Sequence, residues 1–374
     1  MTYLIAFIGL VLVLATLLDA FEVVLLPRPV RRRLQVNRYF FRLAWAAWSW
    51  LARRLPAGPR REDFIGVFGP LSMVSLFGAW ALLLIIGFAL MHWALPHLHS
   101  GAPLLGLTDA LVVSGDAFFT LGYGDVVPHH AGGRLMVIVE AGTGFGFIAL
   151  TIAYLPVLYQ HFSRRDCQLI DLSLRAGTPP AAAALLEWHV GAGGQAALTA
   201  WLRDWELWAS ELVESHSAYP MLSFYRSQHS DQSWLAALAV VMDTCALLIA
   251  GARDGGPPQA AATFAAARRA LRVASDSLDV VPAAQAHSGH RAGFSPREAR
   301  ALCALLPGWD GDAAASASLQ KLRGAFMPLV AALADHLMLR MDVPDEADPD
   351  LDGAPSRDHV VRRLAADDFG VGRP

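Results

Sequence analysis

"TLGYGD", residues 120–125, breaks an otherwise apolar run with two glycines around a tyrosine and closes on an aspartate. Glycine loses more freedom on ordering than any other residue and weakens helices and strands alike. Such a stretch belongs where the backbone, not the side chains, must act. Its flanks decide what it does. Before it, "LTDALVVSGDAFF" (107–119) is apolar but too short to cross a bilayer, which predicts a re-entrant helix with Thr108 as its N-cap. After it, "LMVIVEAGTGFGFIALTIAYLPVLYQHF" (135–162) is long enough to span.

Composition supports a membrane setting for this half of the chain. Of 374 residues, 55% are hydrophobic and 17% charged, against roughly 25% charged in soluble domains. No Asp, Glu, Lys or Arg lies between Asp63 and Asp109, and Glu140 is the one charged residue from Leu135 to Ser163. Residues 2–26 read as an uncleaved membrane helix ending at Pro27, because no basic residue precedes Arg28 and the apolar run is long. A second span covers 66–95. Between these spans lie Arg28, Arg31, Arg32, Arg33, Arg38, Arg42, Arg53, Arg54, Arg60 and Arg61, and Arg164 and Arg165 follow the last span. Basic loops mark the cytoplasmic side, which predicts an external N-terminus and an internal C-terminus. The Trp-rich segment 34–55 within the first arginine loop reads as an interfacial helix; a further span there would break the charge rule. Asp19 and Glu22 are expected to anchor on the arginines that follow.

Irregular backbone at membrane depth is tolerated only within protein or along a water-filled path. In the second case the carbonyls of Thr120, Leu121, Gly122, Tyr123 and Gly124 can replace the hydration shell of an ion, with the Thr120 hydroxyl adding an oxygen at the inner end. Leu121 and Tyr123 would brace the loop from behind. A re-entrant helix pointing its negative C-terminal end at that path favours a cation.

On these residues, 65–165 resemble the potassium-channel pore family of bacterial single-filter type, with outer helix, pore helix, filter and inner helix. "TLGYGD" matches that family's filter position by position. The resemblance implies a homotetramer that conducts K+ across the cytoplasmic membrane, with K+ held by filter backbone and no other cofactor or metal. It places Asp116 and Asp125 as filter supports, Gly144 and Pro156 as gating hinges on the inner helix, and Phe145, Ile148, Ala149 and Ile152 on the cavity. Helix packing suits Gly144 and that stripe equally. Two departures stand out: Phe119 occupies a position where relatives often carry threonine, and Val112 and Val113 replace pore-helix aromatics. Glu140 is an ionisable group inside a span, with function or a hydrogen bond to the pore helix as its two readings. No span carries regularly spaced arginines, so no voltage sensor of the usual kind is expected.

The whole is expected to be an all-α membrane protein in five parts: an N-terminal membrane helix (1–27), an Arg/Trp-rich segment (28–64), the pore module (65–163), a helical cytoplasmic domain (164–341) and an acidic tail (342–374) expected to be disordered. In the fourth part, Leu198, Trp201, Leu202, Trp205, Trp208 and Leu212 recur at helical spacing, and Ser295 with Glu298 forms a capping box. "TPPAAAALLEWHV" (178–190) reads as a helix with prolines in its first turn. "GAGGQA" (191–196) matches a dinucleotide fingerprint but joins two helical stretches instead of following a strand, which rejects it. His216, His229 and Asp231 fit no standard ligand spacing. Cys167, Cys245 and Cys303 are too scattered for a disulfide framework or zinc site. The net charge of −3 predicts no nucleic-acid partner. No acid/base or nucleophile motif points to an enzyme. The alternative to a channel is a non-conducting sensor or scaffold that keeps the pore fold.

Overall fold

The computed structural model describes residues 1–24, 36–95, 106–124, 126–191, 193–227, 232–252, 256–282, 293–306 and 308–341. Among these residues the chain is all α-helical, with no strand. It forms two compact units, Met1–Gln160 and His161–Pro374. Asp125, Arg28, Arg31–33, His229, Asp231 and the acidic tail lie outside the described residues.

The first unit contains α1 (Thr2–Val24), α2 (Val36–Ala52), α3 (Pro59–Gly66), α4 (Phe68–Ala94), α5 (Leu107–Phe118) and the first part of α6 (Ala131–Ala176). Helices α1 and α4 approach through small residues. A Cβ on Gly9 would lie 2.5 Å from Gly87 O, and one on Gly87 would lie 2.7 Å from Val13 Cγ2. Backbones this close are how apolar helices gain packing without a hydrophobic drive. Lower on the same pair, buried Asp19 accepts a hydrogen bond from Trp80 Nε1 at 2.9 Å. The Asp19 carboxylate is thus bonded within the helix pair; the arginines that directly follow α1, Arg28 and Arg31–33, on which the sequence anchors it, lie outside the described residues.

Helix α2 is amphipathic, and its tryptophans are used partly for protein packing. Trp45 meets Phe68 edge-on at 4.9 Å, and Trp48 stacks on Phe64 at 4.4 Å while donating from Nε1 to Phe64 O. Trp50 stays exposed, with the Arg54 guanidinium 3.6 Å over its ring. Helix α5 starts after Gly106, which is the N-cap; Thr108 is not, and no side chain caps the turn. The extended Gly106 backbone makes the cap geometry, so the helix begins two residues before a Thr108 cap would allow.

The second unit holds the end of α6, then α7 (Ala182–Gly191), α8 (Gly194–Ala218), a short 3-10 turn (Pro220–Phe224), α9 (Trp234–Gly251), α10 (Pro258–Leu278), α11 (Pro296–Leu305), α12 (Ala313–Gly324) and α13 (Met327–Leu337). The apolar stripe of α8 is buried as its spacing predicts, with Trp205 4.7 Å from Trp208 and 5.3 Å from Trp201. Thr263 of α10 donates to Leu202 O at 2.9 Å, bonding that helix to α8. Ser295 and Glu298 form the expected capping box on α11. Arg323 pairs in bidentate fashion with Asp243 at 2.6 and 2.8 Å and reaches Glu298 at 3.2 Å, joining α12, α9 and α11. The prolines of "TPPAAAALLEWHV" lie outside α7. Gly177 at φ 79° ends α6, and the chain turns through them until Ala181 N–H reaches Ala176 O at 3.0 Å.

Four helical stretches among the described residues are long and apolar enough to cross a membrane: α1, the α3–α4 stretch, α6 and α9. They are not alike. The apolar windows of α1 and α6 are 28% and 17% buried, whereas that of α9 is 78% buried. The apolar character of α9 is used up by the core of its own unit; that of α1 and α6 is left facing outward, as lipid or partner helices require.

His216 of α8 is buried, its Nδ1 3.1 Å from Leu212 O and its ring 5.2 Å from that of Trp234. Burial, with the Arg165 guanidinium adding to it, pushes its pKa down from 6.5 to about 3. The unfolded chain therefore binds the extra proton between those values and the folded chain does not, so stability falls as pH drops through that window. The pH slope of unfolding of the full chain is expected to weaken by about 1.4 kcal/mol per pH unit in His216→Gln. A slope equal to that of the parent would show that His216 titrates in the folded state.

Candidate ion pathway

Helix α5 runs directly into the TLGYG segment. Phe119 N–H bonds to Gly115 O at 3.0 Å and Thr120 N–H to Ala117 O at 3.2 Å, finishing the helix. Beyond that point the backbone alternates in hand: Thr120, Gly122 and Gly124 have φ of 54°, 75° and 77°, while Leu121 and Tyr123 stay at ordinary negative φ. Alternating the hand at each residue turns successive peptide planes so that their carbonyls share one side and their N–H groups the other. Asp116 takes up two of those N–H groups. Its carbonyl accepts from Leu121 N–H at 2.9 Å, and its Oδ1 accepts from Tyr123 N–H at 3.0 Å. These two N–H groups of the loop are thus bonded back to α5. A β-branched residue at positive φ is a genuine outlier, so Thr120 marks a strained conformation that its surroundings impose.

Behind α5, aromatic side chains of α4 and α6 pack together with Phe118 of α5 itself. Phe118 is fully buried and meets Phe147 at 6.1 Å; Phe77 meets Phe147 at 6.4 Å and Tyr154 at 5.8 Å. Aromatic bulk from α4 and α6 thus fills the space near the end of α5, while Val113 is buried and Val112 exposed. Phe119 lies against Phe118 at 5.2 Å and is about half exposed.

Helix α6 is unbroken through Gly144 and Pro156, 46 residues long. One face, with Gly144, Phe147, Tyr154 and Leu158, is buried; the other carries Phe145, Ile148, Ala149 and Ile152, all exposed on the single chain. Gly144 is a point of close approach. A Cβ there would stand 2.0 Å from Phe118 O, 2.8 Å from its carbonyl carbon and 3.0 Å from its Cα. Gly142 and Gly146 have nothing within 4 Å of an added Cβ.

A second buried cluster lies on the same three helices. Glu140 of α6 is fully buried, with Oε2 2.8 Å from His92 Nε2 of α4 and Oε1 hydrogen-bonded to Ser114 Oγ of α5. Sequence reasoning reaches Glu140 and its bond to the pore helix but not His92, because histidine is not counted among formal charges. The signal was present: a buried polar group in a span needs a partner, and His92 is a second such group in a neighbouring span.

No group of three His, Cys, Asp or Glu side chains capable of holding a metal ion occurs among the described residues. In "GAGGQA" Gly191 ends α7 and Gly194, Gln195 and Ala196 open α8, with no strand among the described residues.

Residues 78–160, from within α4 to within α6, match a family model described as "Ion channel". A protein of Bacillus subtilis (strain 168), named "Uncharacterized membrane protein YdjJ", is 26% identical over 267 residues, covering 67% of this chain and 72% of that protein. No solved structure matches the chain. The chain is therefore an all-α, multi-pass membrane protein whose segment 78–160 is similar to an ion-channel family.

Proposed function

We propose that four copies of this chain enclose a K+-selective pathway across the cytoplasmic membrane of a bacterium. The observation that carries the reading is the alternating backbone hand at Thr120, Gly122 and Gly124, with Asp116 holding the N–H side. That geometry gives each chain one open row of carbonyls, and one row cannot surround an ion. Four rows related by a closed rotation can, which is why the assembly is a homotetramer. Thr120, Leu121, Gly122, Tyr123 and Gly124 supply the carbonyls, and Asp116 and Asp125 support them. Phe145, Ile148, Ala149 and Ile152 line the cavity, and Gly144 and Pro156 are the gating hinges of α6. The ten arginines between α1 and α4 keep that loop inside, so the N-terminus is outside and the helical domain 164–341 is cytoplasmic. Because α6 continues to Ala176 without a break, a rearrangement of that domain can pull on the pore and shift an open–closed equilibrium, which takes only a few kcal/mol.

The experiment is potassium flux from the purified full chain in liposomes, with sodium as the competing ion. Potassium flux that exceeds sodium flux is the expected result. Protein that inserts and assembles yet passes neither ion would be the non-conducting scaffold.

A further inference from the structure

Three helices meet at one carboxyl inside the first unit. His92 Nε2 of α4 lies 2.8 Å from Glu140 Oε2, and Ser114 Oγ of α5 bonds Glu140 Oε1; all three side chains are fully buried. Ser114 Oγ also lies 2.8 Å from Ile85 O. A hydroxyl has one proton to give and lone pairs to accept with. Ile85 O can only accept, so Ser114 either donates to it and accepts from a protonated Oε1, or donates to Oε1 and leaves the Ile85 contact without a proton. In one arrangement all three contacts are hydrogen bonds and each of these groups is uncharged: His92 Nε2–H donates to Oε2, the Oε1 proton goes to Ser114 Oγ, and the Ser114 proton goes to Ile85 O. Such a chain is a low-cost way to place these groups in an apolar interior, where an unpaired one is expensive.

Ser114 is two residues before Asp116, the residue that accepts from Leu121 N–H and Tyr123 N–H. Two residues on an α-helix are about 200° apart. Helix α5 is thus fastened on one face to α6 and α4 through Ser114, and on the opposite face to the TLGYG loop through Asp116. We propose that Glu140 is a positioning residue for ion permeation. Its hydrogen-bonded chain locks α5 to α6 and α4, so that a displacement of α6 at this level is passed through α5 and Asp116 to the filter backbone. The proposal rests on the reading that residues 120–124 conduct ions, and it adds the part that holds them in register.

The full chain in liposomes tests it with three variants. In Glu140→Gln the amide oxygen accepts from His92 and the amide NH2 donates to Ser114, so both links survive. Wild-type K+ over Na+ discrimination and wild-type hydrogen exchange of the Leu121 and Tyr123 amides are expected. Glu140→Leu keeps the bulk and removes both links; Ser114→Ala removes only the link to the pore helix. Each is expected to raise exchange of those two amides about tenfold, the order of one lost buried hydrogen bond, and to lower discrimination several-fold in channels that still assemble. A merely structural contact would lower the yield of assembled protein and leave both readouts unchanged. Should Glu140→Leu fail to assemble, Ser114→Ala decides alone. Unchanged exchange and discrimination in the assembled variants, with wild-type flux intact, would overturn the clamp and leave conduction standing. A Glu140→Gln variant as damaged as Glu140→Leu would overturn the neutral chain. Absence of flux in the parent protein would remove the conduction reading, and the proposal with it.

Discussion

Potassium flux through the reconstituted protein is expected to vanish when Gly122 or Gly124 is replaced by alanine, while the protein still assembles. Both glycines sit in the left-handed region, at φ 75° and 77°. An added Cβ would meet nothing within 4 Å in the chain at either position, so no clash is involved. The cost is conformational, about 1–2 kcal/mol for an L-residue held there. In the proposed ring of four that becomes about 4–8 kcal/mol, because every chain carries the substitution. Conducting and non-conducting arrangements of a protein differ by only a few kcal/mol, so the penalty is large enough to empty the conducting one. The loop has little slack to absorb it, since Thr120 already stands at φ 54°. Liposome flux with potassium and sodium, alongside sizing of the detergent-solubilised assembly, separates lost conduction from lost assembly. Unchanged potassium over sodium selectivity in either variant would remove residues 120–124 from the ion path.

Much of this architecture is legible in residue order. The second span and the short helix before TLGYGD are recovered within a few residues, and the last span, read as 135–162, lies inside the longer α6 (Ala131–Ala176), because long apolar runs and charge gaps survive any tertiary arrangement. The Trp stripe of α8 and the capping box at Ser295 are equally plain, since both rest on contacts three or four residues apart. The end of α6 at Gly177 is visible for the same reason: it is the first glycine or proline after Pro156. What the sequence hides depends on contacts between distant residues. Asp19 reads as an anchor for neighbouring arginines, and its bond to Trp80 spans 61 positions. His92 and Glu140 are 48 apart. The missing aromatics of the pore helix read as a gap at Val112 and Val113, but Phe77, Phe147 and Tyr154 supply aromatic bulk from other helices. Helix starts fail at a finer level. Gly106 caps α5 through its extended backbone, and propensity pointed to the threonine two residues later.

Gly144→Ala is expected to be the most damaging single methyl in the inner helix. The resemblance to potassium channels gives Gly144 a hinge role, and the structure adds a steric requirement at the same position. A Cβ would be placed 2.0 Å from Phe118 O and 2.8 Å from the same carbonyl carbon. These are backbone atoms, which no rotamer change can move aside. Either α6 withdraws from α5 at this level, or the last turn of α5 shifts and takes Thr120 and the TLGYG segment with it. Overpacking a tight interior costs roughly 1–3 kcal/mol, more where backbone must move, and each subunit would bear that cost. Gly142→Ala and Gly146→Ala serve as controls on the same helix, since neither added methyl has a neighbour within 4 Å in the chain. If flexibility of the helix were the main requirement, all three alanines would stiffen it by similar amounts, about 1 kcal/mol each, and flux would fall to a similar degree in each. If close approach to Phe118 dominates, Gly144→Ala loses flux or assembly outright, while the two controls retain assembly and most of their flux. Liposome flux normalised to assembled protein reads the difference. A Gly144→Ala variant that assembles and conducts like the parent would show that the helices separate at this contact in the conducting state.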